Sequence, residues 1–437
     1  MVTHPEKYRR RLLRTDKGRS ENLRRGCAAI LPPLKSCTRK LPDHAKNLYQ
    51  IFIQRSASSL HAATRLGVMN LASTSNLAEA TGHALSNAFD LARRERLRNR
   101  STPLALDSIR TQFRALIDKV MGEAGLYAPE HAALALRQAE GDALEAVVIL
   151  RAFRATLSRT YLSAIIDTRT MRVQRRISSA FREIPGGQVL GPTLDYSQRL
   201  LAAHLARETL GSVDTFLKAF DEKLDRSRLR PLTTFGKVTD LLRDEGLLRP
   251  VGDSNDTRVQ DIIREPLRFP APRSARLQAL ARAETGAIMA LAYSGMRGQG
   301  GDHPTIGEVR VGIVAVIVTD PRGRSRRLGG LLVTEAENIS KIKVKKKDPV
   351  PYMSLGYGLC FGQNETKAIC MGILDRSMRV GGDSAPAISQ EFVLYHTEGA
   401  DAWGSIQSEK LADYTGFQSE LVLLRAAVTR KEAKAKE

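Results

Sequence analysis

The sequence has little of three features that would place it in a specialised class of protein. Aromatic residues make up only 5% of its 437 residues, so its core must rest on Leu, Ile, Val, Ala and Met. The four cysteines, Cys27, Cys37, Cys360 and Cys370, form no C-x-x-C pair, which predicts neither a zinc knuckle nor a disulfide framework. No apolar run reaches the roughly 18 residues that a membrane-spanning helix needs. We therefore expect a soluble protein of the reducing cytosol.

The familiar catalytic and nucleotide-binding motifs are also missing. No Lys-Ser/Thr follows the main glycine-rich segment as it does in a P-loop, and His303 stands where a dinucleotide-binding fingerprint needs its third glycine. H-E-x-x-H, G-x-S-x-G and the protein-kinase set do not occur. These motifs therefore assign no catalytic or nucleotide-binding class to the chain.

Positive charge, in contrast, is abundant, with a formal net charge of +21. Residues 1–68 carry 15 Lys and Arg against four Asp and Glu, which is about half of the excess. This basic leader, which we expect to be disordered, has three interpretations: a targeting peptide, an arm that contacts polyanions, or a mis-called start with translation beginning at Met69, which we favour. Nucleic-acid binding is disfavoured, because no reader motif and few aromatic residues accompany the charge.

The hydrophobic pattern predicts an α+β fold, with a helical N-terminal half followed by a mixed half that contains a small antiparallel sheet and a C-terminal helix. Residues 69–220 form the helical region. Residues 221–437 form the α+β region, in which "EVRVGIVAVIVTD" and "RRLGGLLVTEAENI" alternate as paired strands do. A basic insertion lies near residues 341–350, "YGLCFGQNETKAICMGILDRSMR" predicts a glycine-rich entry into a helix, and "GFQSELVLLRAAVTRKEAKAKE" predicts the C-terminal amphipathic helix.

Two polar segments are candidates for function. Residues 290–312, "ALAYSGMRGQGGDHPTIGEVRVG", combine glycines with side chains of both charges behind an apolar run. The segment "MRVQRRISSAFREIPGGQVLGPTLDY" places several arginines before a loop rich in Gly and Pro. This second segment is either a solvated basic helix followed by a turn, or a set of phosphate-contacting arginines beside a backbone that a ligand can approach closely.

The first segment resembles a sequence block of the PhnI family, whose members are a core subunit of the bacterial carbon–phosphorus lyase system. The block reads ALAYS-x-x-RG-x-G-x-x-HP-x-x-GE-x-R-x-G. Further stretches match the family in the same order, among them "QRRISSAFREIPGGQVLGPTLDY", "RSARLQAL", "LLVTEAE", "GYGLCFG", "EFVLYH" and "FQSELVLL". The resemblance covers residues 69–425.

The resemblance implies a subunit similar to a nucleosidase that acts on purine nucleoside triphosphates. With partner subunits it supports displacement of the base from ATP or GTP by methylphosphonate, which gives ribose 1-methylphosphonate 5-triphosphate. The implied partners are PhnG, PhnH and PhnJ, together with the ATPase-like subunits PhnK and PhnL. A non-catalytic scaffold, or a diverged copy of the same subunit, is the alternative.

Such a reaction needs a carboxylate near the sugar, a proton donor near the base and cations for the triphosphate. The residue types supply candidates for each role. Asp302 and Glu308 are the carboxylates, and His303 is a tunable acid. The candidate phosphate contacts are Arg297, Arg310, Arg175, Arg176 and Gln188. The structural alternative is that His303-Pro304 caps a turn and that Glu308 pairs with Arg310 along one strand face.

The chain departs from the family in one stretch. Members carry H-L-K-L-P-H-Y, whose two histidines help to bind zinc at the contact with the carbon–phosphorus-cleaving subunit. Here the stretch is "SEKLADY", with Ser408 and Asp413 at those positions. A serine hydroxyl is a poor zinc ligand and one aspartate does not replace two imidazoles. We expect no metal or cofactor of the chain's own, and we disfavour His396 as a substitute ligand.

Overall fold

The computed structural model describes residues 71–224, 234–248, 259–297, 304–320, 322–341, 353–380, 385–410 and 414–435. The chain divides into two units, residues 1–102 and 103–437. In the first unit, helix α1 spans Leu71–Leu97 and leaves Leu85 and Phe89 exposed. The basic leader, residues 1–68, lies outside the described residues, and so do residues 342–350 of the predicted basic insertion near 341–350.

The second unit begins with a helical layer that has its own core. Its helices are α2 (Leu106–Gln112), α3 (Arg114–Ala124), α4 (Pro129–Gln138) and α5 (Ala143–Ala155). Phe113, whose backbone leaves the helical region, separates α2 from α3. Gly125 ends α3 in the left-handed conformation at φ 64°, which glycine adopts without strain. The side chain of Asp142 caps α5 by accepting hydrogen bonds from two backbone amides.

Four strands of the described chain form one antiparallel sheet in the order β1-β2-β3-β4. Their bounds are Arg172–Ile177 (β1), Thr305–Thr319 (β2), Ser325–Lys341 (β3) and Met353–Phe361 (β4). The two strands predicted from alternation, β2 and β3, are confirmed, and so is the α+β class. The interpretation of the arginine-rich segment as a helix is wrong, because residues 172–177 are a strand that hydrogen-bonds to β2. β1 thus joins the region predicted to be helical to the sheet.

The segment predicted as a glycine-rich entry into a helix is in fact strand β4 followed by a helix. That helix, α10, spans Glu365–Val380 and lies across β4 at very close range. A Cβ atom on Gly356 would stand 1.9 Å from the carbonyl oxygen of Gly372, and one on Gly358 would stand 2.0 Å from that of Ala368. The glycines of β4 are therefore required by the close approach of two backbones, as glycines within strands often are.

The remaining helices complete the second unit. They are α6 (Leu210–Lys223), α7 (Val238–Asp244), α8 (Arg273–Arg282), α9 (Thr285–Arg297), α11 (Gln390–His396), α12 (Gly399–Glu409) and α13 (Tyr414–Lys434). The predicted C-terminal helix is confirmed as α13. Helices α8 to α11 pack against one face of the sheet and enclose a core that includes Leu280, Ile288, Val309 and Leu374. In the part of the chain that the structure describes, we find no helix long and apolar enough to cross a membrane.

Candidate functional site

The two faces of the sheet differ in chemistry. The face toward α8–α11 packs on a mostly apolar core. The opposite face carries charged side chains from three adjacent strands, because residues two apart on a strand point to the same side. The strand register places Arg176 beside Arg310, Arg310 beside Glu335, and Glu308 beside Glu337. Together with Lys237, which precedes α7, these five residues make up what we call the ionic cluster.

The first pair of the ionic cluster joins β1 to β2. The Nε atom of Arg176 donates to Oε1 of Glu308 at 2.6 Å, and both side chains are almost completely buried. The other carboxylate oxygen of Glu308 accepts from the backbone amide of Val238 at 3.0 Å. Arg176 also donates to the carbonyl oxygens of Pro185 and Gly236, at 2.5 and 2.9 Å. One guanidinium therefore holds two loops and a strand together.

The second pair joins β2 to β3. Arg310 donates through Nε and Nη2 to Oε2 of Glu335, at 3.1 and 2.5 Å. The other oxygen of Glu335 accepts from Lys237 at 2.8 Å, from the Thr168 hydroxyl at 2.6 Å and from the Tyr357 hydroxyl at 2.9 Å. Burial alone would raise the pKa of Glu335, but the nearby charges of Arg310 and Lys237 outweigh it and lower the pKa to about 2.

The last carboxylate of the ionic cluster, Glu337, completes its charge balance. Lys237 lies 3.2 Å from Oε1 of Glu337, and the Thr239 hydroxyl donates to Oε2. The ionic cluster thus contains three cations and three carboxylates, all of them partnered. Ion pairs at this depth are costly to desolvate and become acceptable only when their hydrogen bonds are satisfied, as they are here. Burial and the charge of Glu335 also raise the pKa of Tyr357, which keeps the phenol neutral as a donor.

Comparison with known proteins identifies the family. The model of the family described as bacterial phosphonate metabolism protein (PhnI) matches residues 77–432. The chain belongs to the PhnI family. It is 46% identical over 336 residues to a putative C-P lyase subunit protein, HtxH, from Stutzerimonas stutzeri, a match that covers 76% of this chain and 89% of the relative.

Two further relatives carry the name alpha-D-ribose 1-methylphosphonate 5-triphosphate synthase subunit PhnI. The one from Rhizobium meliloti is 41% identical over 350 residues, which cover 78% of this chain and 91% of the relative. The one from Escherichia coli is 40% identical over 327 residues, which cover 74% of this chain and 89% of the relative. The similarity therefore extends over nearly the whole length of these relatives.

Three of the residues predicted for the site of this PhnI-family chain come together in the structure. Arg176, Glu308 and Arg310 all belong to the ionic cluster. The alternative pairing of Glu308 with Arg310 is present only as a longer contact of 3.9 Å, because Arg176 is the closer partner. The three cluster members that the sequence did not point to are Lys237, Glu335 and Glu337. For Glu335 and Glu337 the signal was their spacing, because two carboxylates two residues apart in a predicted strand lie on one face. Lys237 gave no such signal.

The other predicted residues lie elsewhere or outside the described chain. Arg175 points to the other side of β1, where it forms an ion pair with Glu365 at 3.0 Å and donates to the carbonyl oxygen of Leu190 at 2.5 Å. The side-chain amide of Gln188 bridges the backbone amide and carbonyl of Ser178, at 2.9 and 3.0 Å. Arg297 is exposed at the end of α9. Asp302 and His303 lie outside the described residues.

At the two positions that the resemblance assigns to zinc ligands, this chain has Ser408 and Asp413. The Ser408 hydroxyl donates to the backbone carbonyl of Ser405 at 2.6 Å, and Asp413 lies outside the described residues. His396 stacks on Phe392 with ring centroids 4.1 Å apart, and its Nδ1 lies 2.9 Å from the Phe392 carbonyl oxygen. Within the described ranges, no three His, Cys, Asp or Glu side chains gather as metal ligands would.

The lowered pKa of Glu335 predicts a pH dependence of stability. The carboxylate stabilises the folded chain fully above its ordinary pKa of 4.5, and this contribution, about 3 kcal/mol, is lost as the pH falls from there toward 2. We expect Glu335→Gln to be less stable than wild type at pH 7, and the gap to narrow at pH 3 to 4. Urea denaturation of both proteins across this pH range measures the difference in their free energies of unfolding.

The matched control is Glu409→Gln, which removes an exposed carboxylate at the end of α12. This control should follow the wild-type curve at every pH. A gap between wild type and Glu335→Gln that stays constant from pH 7 to pH 3 would contradict the assignment.

Proposed function

We propose that this chain is the subunit of a carbon–phosphorus lyase system in which methylphosphonate displaces the purine base of ATP or GTP. The product is ribose 1-methylphosphonate 5-triphosphate. The observation that carries the proposal is the match to the two synthase subunits, which spans 91% and 89% of their lengths at 41% and 40% identity. We place the protein in the cytoplasm.

The chemistry sets three demands on the site. A phosphonate oxygen attacks C1′ of the ribose, the bond from C1′ to the base nitrogen breaks, and the base departs with the electron pair and takes up a proton. Positive charge develops on the sugar and negative charge on the base, so the site must supply a fixed carboxylate and a proton donor. Cations must hold the triphosphate, which remains unchanged through the step.

We assign these tasks according to exposure. Arg297, which is exposed, is the candidate phosphate contact. Asp302 and His303 remain the candidate carboxylate and acid. Glu308 and Arg310 are buried and already paired, so we propose that they position the start of β2, which follows Asp302 and His303 in the chain. Preorganised charges of this kind lower a barrier without reorganising during the reaction.

Arg175, Arg176 and Gln188 support the same site from the second polar segment. Arg176 and Arg175 donate to the carbonyl oxygens of Pro185 and Leu190, and so fix both sides of the Gly/Pro-rich loop against the sheet. We propose that these three residues shape the loop. Each side chain already pairs with neighbours, which favours a positioning role over direct contact with phosphate.

A multi-subunit assembly accounts for the exposed apolar side chains between α5 and α7. Ile165 and Leu201 are 101% and 96% exposed, and Phe216 on α6 is 65% exposed. Where large exposed apolar side chains gather in one patch, they are typical of a surface that another protein covers. We propose that it contacts other subunits of the lyase system, with PhnG, PhnH, PhnJ, PhnK and PhnL as the candidates. The alternative, a non-catalytic scaffold, requires the same surface but no turnover.

The proposed function predicts release of free adenine or guanine from ATP or GTP, with methylphosphonate as acceptor when partner subunits are present. We expect Arg297→Ala to raise KM for ATP by about tenfold or more while kcat changes less, because a charge-assisted hydrogen bond to phosphate is lost. Chromatographic detection of the base measures both constants.

The control for this variant is Arg327→Ala, which removes an exposed arginine from β3 and should leave both constants as in wild type. Wild-type chain that assembles with its partners but releases no base under any of these conditions would favour the scaffold.

The zinc-site segment gives a separate prediction. We propose that Ser408 and Asp413 leave the chain without the family's zinc, so the purified full-length protein should contain far less than one zinc ion per chain by mass spectrometry of its metals. Ser408→His combined with Asp413→His should raise the zinc content toward one. One equivalent of zinc in the wild type, lost when residues 408–414 are substituted, would show that the prediction is wrong.

A further inference from the structure

A groove of about 490 Å³ opens between α9 and α10, beside the start of β2. Its floor is buried, since Cys370 and Ile373 are 7% and 8% exposed. Its walls are open to solvent, since Met289 and Tyr293 on α9 are 49% and 50% exposed. The groove is a slot with apolar sides and an aromatic ring at its rim, within the size range of small-molecule sites.

The groove is lined by a residue next in the chain to the candidate acid. Pro304, which lines the groove, is the residue bonded to His303, the candidate acid. At the end of α9, the Arg297 guanidinium donates to the Tyr293 hydroxyl at 2.5 Å, and so lies next to the groove's aromatic wall. An apolar slot and an exposed cation therefore stand side by side.

We propose that this groove holds the purine ring of the nucleoside triphosphate, with the triphosphate directed toward Arg297. The inference rests on the proposed function and names where its substrate binds. A purine is flat and apolar on both faces, and it gains most from contact with an aromatic ring and with thioether sulfur. Tyr293 supplies the ring, and Met289 and Met296 supply the sulfurs. Arg297 supplies the opposite charge for the phosphates.

The lining also determines how the base is recognised. The described lining residues are almost all apolar, and burial raises the pKa of the Cys370 thiol to about 11, so it stays protonated. Such a wall binds the purine ring through nonpolar contact and stacking, and it forms no hydrogen bonds to the polar edge of the base. Apolar pockets discriminate poorly between ligands that differ by a polar substituent. The groove therefore accepts adenine and guanine with similar affinity.

The test places a bulky side chain in the groove. Ala290 lines it and is exposed on α9, so Ala290→Trp occupies the slot at little cost to the core. The control is Ala402→Trp, at an exposed position of α12. The probes are ATP and inorganic triphosphate, which carries the charges without a base. Affinities are measured by calorimetry on the full-length chain, alone and with partner subunits, and base release is followed in parallel.

We expect Ala290→Trp to weaken ATP at least about tenfold and to leave inorganic triphosphate unchanged. Arg297→Ala should weaken both probes, and Ala402→Trp neither. Met289→Ala, at a half-exposed position, should weaken ATP severalfold and provides the test if the tryptophan variant does not fold.

Three outcomes would overturn the inference. ATP affinity of Ala290→Trp equal to wild type, with base release intact, refutes the groove and leaves the proposed function standing. Loss of subunit assembly in Ala290→Trp with unchanged ATP affinity makes the groove a protein-docking site. Absence of ATP binding in wild type refutes both proposals. ATP binding that depends on the groove without any base release refutes the proposed function alone.

Discussion

The buried ionic cluster is the constraint on which the rest of this structure depends. Three cations and three carboxylates lie on one face of the sheet, and each has its partners within hydrogen-bonding distance. In a medium of low dielectric, the loss of any one charge leaves its partner buried and uncompensated, at a cost of about 3–5 kcal/mol. Arg176, Lys237 and Arg310 therefore bring segments distant in the chain to one place, and the observed register of the strands pairs them all.

The ionic cluster and the glycines of β4 act on opposite faces of the same sheet. On one face the ion pairs hold β1, β2 and the loops at Pro185 and Gly236. On the other face, Gly356 and Gly358 let α10 lie against β4. The groove is formed by α10, α9 and the first residues of β2. Its width therefore depends on how closely α10 packs on β4 and on where the ionic cluster holds β2. In this way a rigid scaffold presents Arg297 and Pro304 at fixed positions beside it, and preorganisation of this kind favours both binding and catalysis.

The sequence was most informative where local periodicity decides structure. Strands β2 and β3 could be predicted because apolar and polar residues alternate along them. Strands β1 and β4 could not, because arginine-rich and glycine-rich segments lack that pattern. From the sequence alone, Arg176 is expected to be solvated. The fold buries it because its partner Glu308, 132 positions away, lies beside it. Likewise, the need for Gly358 arises from Ala368 on a different element. The residue types of the candidate site were visible in the sequence, whereas their pairing was not.

A double-mutant cycle on Arg176 and Glu308 tests the central claim most directly, by measuring the free energy of unfolding and base release of Arg176→Met, Glu308→Leu and the double variant. Our account predicts that each single variant loses about 3–5 kcal/mol of stability, and that the double variant loses clearly less than the sum of the two, because it leaves no partner charge of this pair buried alone. Base release should follow the same order. Losses of the two single variants that simply add in the double variant would contradict the account, because the two side chains would then stabilise the fold independently.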